Sequence, residues 1–113
     1  MKMSASYLAE TINHLQKNAY VVTKHSETKY RAEILVFHRT TYRCVKSPEI
    51  DIALEALSYP DGREAYYLEI FHIGPLRSLS FPLDSWKIQP TYIEFKYYSH
   101  PQTAMGLAFT LDL

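Results

Sequence analysis

Asp61 behind Pro60, together with Glu94-Phe95-Lys96 on an apolar stretch, is the most reactive combination of side chains in the chain. Two carboxylates can hold a divalent cation. A lysine two residues from one of them, on the same face of a strand, then stabilises charge at an attacked phosphate. Both features have a plainer reading. Pro60-Asp61-Gly62 is what a tight turn demands, and Glu94 with Lys96 is the solvent face of an amphipathic strand, so we expect no catalytic residue here. The five histidines (His14, His25, His38, His72, His100) and the single Cys44 show no metal-ligand spacing. His72 reads as a hydrogen-bonded core residue beside Leu68 and Ile70, and Cys44 as a small buried hydrophobe. Gly62, Gly74 and Gly106 stand alone at turns or strand starts, which excludes the usual phosphate-binding loops. The expectation is a non-enzymatic protein with no metal and no cofactor.

The Pro-Asp and Glu-x-Lys elements resemble the pattern of restriction-type nucleases, a short and degenerate one; a metal-dependent nuclease is therefore the third reading. A better polar candidate is the run His38 to Lys46. Arg39, Arg43 and Lys46 would meet phosphates while Tyr42 stacks on a base, the arrangement of sheet platforms that bind single strands. Against it, the domain as a whole is neutral, and a positively charged edge strand also serves to oppose pairing with other chains. Tyr92, Lys96 and Tyr98, outward on one strand with Glu94, form the mixed aromatic and charged surface enriched at protein interfaces. The leading expectation is binding of an unidentified protein partner through a sheet face or edge, with self-association as a homodimer included; a nucleic-acid-binding module built on Arg39 to Lys46 comes second.

These side chains need elements to hold them. Tyr66 to Ile73, entered through Pro60-Asp61-Gly62 and closed by Gly74-Pro75, is dense in aromatic and β-branched residues on both faces and predicts a central strand. Ser4 to Asn18 is the one convincing helix, with a serine N-cap and an apolar stripe of Leu8, Ile12, Leu15 and Ala19. Strands are predicted at 20–25 and 30–38, joined by the polar loop 26–29, and at 42–46 after a turn near Arg39-Thr40. Residues 47–59 fit either periodicity, and the following hairpin turn favours a strand. Leu76 to Leu83 follows, with Pro82 expected at an edge or outside the sheet and Trp86 and Ile88 in a connector. Tyr92 to Tyr98 and Gly106 to Leu113 complete the set. The fold class is α+β: one N-terminal helix packed on a strongly curled, mainly antiparallel meander sheet of seven to eight strands.

With 113 residues, 47% of them hydrophobic, the chain is expected to make a single domain over residues 1–113. One cysteine fits a reducing compartment, no stretch is apolar enough to read as a leader or a membrane span, and the expected location is cytoplasmic. The net charge is zero but unevenly placed. Up to Lys46 eight Lys or Arg face three Glu, while from Ser47 onward four face nine acids. Such an imbalance suits either an anionic partner for the first half or association between unlike halves.

Overall fold

A computed structural model describes residues 4–73, 76–98 and 106–113; the side chains of Ile73, Leu76, Arg77, Tyr98, Gly106 and Leu107 are outside that description. Helix α1 (Ala5–Lys17) precedes seven strands: β1 (Val21–Arg31), β2 (Ile34–Ser47), β3 (Ile50–Ser58), β4 (Glu64–Ile73), β5 (Leu76–Ile88), β6 (Tyr92–Tyr98) and β7 (Gly106–Asp112). They form one sheet in sequence order with every neighbouring pair antiparallel, so β4 is the central strand, as expected. The ambiguous segment 47–59 holds β3 and is not helical.

The sheet is open, and this corrects the expected strong curl or closure. Strands β1 and β7 are its two edges and do not pair. The chain spans from one edge to the other with a side chain instead, the Tyr20 hydroxyl donating to the Asp112 carbonyl at 2.8 Å. Helix α1 then buries Tyr7, Leu8, Thr11, Ile12 and Leu15 against one face of the sheet. That face supplies Cys44, Ile52, Leu54, Leu68, Trp86, Ile93, Phe95 and Leu111. Ser4 caps the helix by accepting from the Tyr7 amide. Ala19, placed in the apolar stripe by spacing, is instead an exposed residue just past the helix with φ of 67°.

Strand β5 departs most from expectation. Pro82 sits inside it, and Trp86 and Ile88 belong to it. Its first half pairs with β4 as far as Pro82, and its second half pairs with β6 from Leu83. Proline is tolerated where the ladder changes partner, because its missing N–H is not asked for. Beyond Pro82 no described strand lies on the β4 side of β5, and Tyr7 takes that place: its hydroxyl donates to the Trp86 carbonyl at 2.9 Å. The rings of Tyr7 and Trp86 stack at 5.4 Å, and the indole N–H donates to Thr11, which itself donates to the Tyr7 carbonyl. These buried polar groups are therefore satisfied by one another.

The first hairpin also corrects the sequence reading. Residues 26–29 are strand, not loop, and no turn occurs at Arg39-Thr40; three expected strands are two long ones, which reduces eight to seven. The turn is Ala32-Glu33, with φ of 49° and 67°. Two positive φ values are the requirement of a two-residue type I′ turn, which normally selects Asn-Gly. Ala and Glu take this conformation at a cost of roughly 1 kcal/mol each. Replacing the pair, Ala32→Asn with Glu33→Gly, is expected to stabilise the protein by about 1 kcal/mol in urea unfolding. No gain would place the turn elsewhere.

Candidate functional site

Strands β1 and β2 outrun the rest of the sheet. β3 pairs with β2 only from His38 to Ser47, so Ile34 to Phe37 and their partners Lys29 to Arg31 pair with each other alone. At about 3.4 Å per residue this arm stands about 13 Å beyond its neighbour. A bulge between Lys29 and Tyr30 adds twist to it. Among the described residues the large hydrophobic side chains left in water are Val21, Tyr30 and Ile34, at 68%, 59% and 71% exposure. Tyr30 and Ile34 lie on this arm, and Val21 is at the other end of β1, opposite Val45. Lys29 and Arg31 flank Tyr30, while Glu27 pairs with Arg39 across the two strands.

The strand periodicity separates the basic run. Arg39 and Arg43 stand on the outer face, whereas Tyr42 and Lys46 belong to the helix-covered side. Tyr42 is half-buried under Lys24, whose ammonium lies 5.8 Å from the ring centre, and the Lys46 ammonium is 5.5 Å from that of Tyr20. The four residues do not make one platform. Tyr92, Glu94 and Lys96 do share the outer face of β6, with Lys87 opposite Glu94; Tyr98 is in the strand, its side chain outside the described residues. Asp61 occupies the β3–β4 turn, accepting from the Arg63 amide at 3.0 Å and its Nε at 2.6 Å, and Gly62 follows at φ of 89°. The amide of Arg63, more than its guanidinium, holds the Asp61 carboxyl below its usual range. No group of three His, Cys, Asp or Glu among the described residues is placed to hold a metal ion.

A second cluster on the outer face was not anticipated. Asp51, only 6% exposed, accepts from Arg43 Nε at 2.9 Å and Nη2 at 2.6 Å, and its Oδ2 lies 3.1 Å from His72 Nε2. Arg43 also lies over the Phe71 ring at 4.1 Å. The Arg43 hydrogen bonds outweigh burial and hold the Asp51 carboxyl below its ordinary range. His72 corrects the expectation of a core residue. Strict alternation would point it inward beside Leu68 and Ile70, but its φ of 61° turns it outward, where it is 62% exposed. Of the other histidines, His14 is on α1, His25 is exposed on β1, His38 bonds Thr28, and His100 lies outside the described residues. Burial pushes the Cys44 thiol up to about 12, which fits an inert packing role.

Compared with known protein families, curated proteins and solved structures, the chain matches none. No described helix is long and apolar enough to cross a membrane. The arm therefore stands on its geometry alone as the surface that the sheet itself does not use.

Proposed function

We propose that the chain is a non-enzymatic binding protein that engages another protein through the β1–β2 arm and the open edge of β1. The observation that carries this reading is the location of Tyr30 and Ile34 in water on one protruding arm, with Val21 also exposed at the other end of the same edge strand. Leaving a large aliphatic side chain exposed forgoes about 1.5–3 kcal/mol of burial. Tyr30 beside Arg31 adds the residue types that dominate binding hot spots. The β1 edge offers main-chain donors and acceptors to an incoming strand, the mode of β-strand addition. Lys24, Lys29 and Arg31 guard that edge against indiscriminate pairing, and a guard made only of charge would not carry the apolar three.

Ile34→Asp in the full chain tests the reading. Its side chain has little to lose on substitution, so the unfolding free energy should change by less than about 0.5 kcal/mol. Association with the partner in native extract should fall by about tenfold or more. Undiminished capture of every partner would remove the arm from function. Retention of wild type on an oligonucleotide column with steep salt sensitivity would favour nucleic acid in its place.

A further inference from the structure

A hollow of about 1110 Å³ lies at the junction of the β3–β4 turn, the start of β4 and the handover point of β5. Ala65, Tyr67, Pro82 and Leu83 supply its apolar lining, and Glu64 and Asp84 are exposed acids on it. Glu64 accepts from the Tyr66 hydroxyl at 2.8 Å. Arg63, the cation at this rim, is engaged by Asp61. The hollow thus presents what the arm tip lacks: apolar cover for Tyr30 and Ile34, and carboxylates for Lys29 and Arg31.

The two features lie at the same end of the molecule. His38 at the root of the arm pairs with Ser58, Ser58 pairs with Glu64, and the Phe37 ring meets Tyr59 at 6.4 Å. A tip and its receptor side by side at one end allow two copies to meet head to head, each tip entering the other's hollow. Such a contact is closed and isologous, so it ends at a dimer and not in an open filament. Residues 28–37 with the ten residues around the hollow give about 20 residues a side, the number in an interface of standard size. Across this contact the tip, with Lys29 and Arg31 against Glu33, is net positive, and the hollow, with Glu64 and Asp84 against Arg63, is net negative.

Resting on the arm as a binding element, we infer that its occupant is a second copy of this chain, held by reciprocal insertion of the 28–37 tip into the hollow at Glu64 and Asp84. The test is sedimentation velocity on the full chain over a concentration series, with two charge-reversed variants whose substitutions are all at exposed positions. Wild type should pass from monomer to dimer. Lys29→Glu with Arg31→Glu, and separately Glu64→Lys with Asp84→Lys, should each weaken the dimer by about tenfold or more, because like charges then meet. An equimolar mixture of the two variants should restore it, since each altered tip again faces an oppositely charged hollow. Wild type that remains a monomer throughout, or folded variants whose mixture does not dimerise, would overturn the dimer. If wild type is monomeric and Ile34→Asp still abolishes capture of another protein, the arm keeps its role and only the occupant is wrong. If Ile34→Asp changes neither, both readings fall.

Discussion

Phe95→Ala should remove about 3–5 kcal/mol of folding stability, the range for truncating a fully buried phenylalanine. Phe95 is 0% exposed and lies 6.3 Å from the ring centres of both Trp86 and Phe109. Those neighbours cannot collapse into the vacated space without cost. Trp86 is tied to Thr11 by its indole N–H, its carbonyl is tied to Tyr7, and the β6–β7 ladder fixes Phe109 opposite Phe95. The cavity therefore stays, and its cost adds to the lost transfer free energy. A loss of this size is a large share of the 5–15 kcal/mol typical of whole domains. Equilibrium urea unfolding measures it, with an unchanged slope expected because the surface exposed on unfolding is nearly the same. A loss under about 1 kcal/mol would mean that α1 does not hold Trp86 against β6 as described.

The elements that long-range packing imposes on were readable, and those set by one or two backbone angles were not. Tyr66 to Ile73 is apolar on both faces because it lies mid-sheet, and that pattern survives without knowing its neighbours. The Pro60-Asp61-Gly62 turn fixed the choice of strand for 50–58 because Gly62 alone there accepts φ of 89° comfortably. Ala32-Glu33 carries no such mark. A polar stretch at 26–29 looked like the turn because the edge strand β1 is exposed throughout that stretch and has no apolar alternation to show. Thr11 was equally silent: its burial follows from the Trp86 N–H it accepts, 75 residues away in sequence. His72 was misdirected by the rule of alternation, which a single left-handed residue breaks.

Asp51 had a readable signal that went unused. Once 47–59 is taken as a strand after the Pro48-Glu49 turn, Val45 falls opposite Asp51 and Arg43 lies one diagonal step away on the same face. The tyrosine-bearing surface on β6 was legible for the opposite reason, since Ile93 and Phe95 alternate without interruption with Tyr92, Glu94 and Lys96. What no sequence pattern marks is that the basic run divides between faces. Its four residues are near in sequence, and a pleated strand separates Tyr42 from Arg43 by sending them to opposite sides.

Arg43→Met should cost about 2–3 kcal/mol near neutral pH. Removing one partner of a buried ion pair costs about 3–5 kcal/mol because a charge is left buried without compensation. The lower value is expected here because Arg43 itself is 46% exposed and His72 still faces the carboxylate. Methionine keeps most of the packing over Phe71, so the loss reports the Asp51 charge. The pH dependence separates this cause from lost packing. In wild type the Asp51 carboxyl titrates below its unfolded value, so its contribution is present above about pH 4 and is lost as pH falls through the lower folded value. Without Arg43 the largest contribution that lowers the Asp51 value is gone, so protonation costs the variant less native-state stability than it costs wild type. The gap between the two proteins should therefore shrink as pH drops from 7 toward 3 in parallel unfolding series. A gap that stays constant over that range would assign the loss to packing on Phe71, and the backbone strain at His72 would then have no carboxylate to serve.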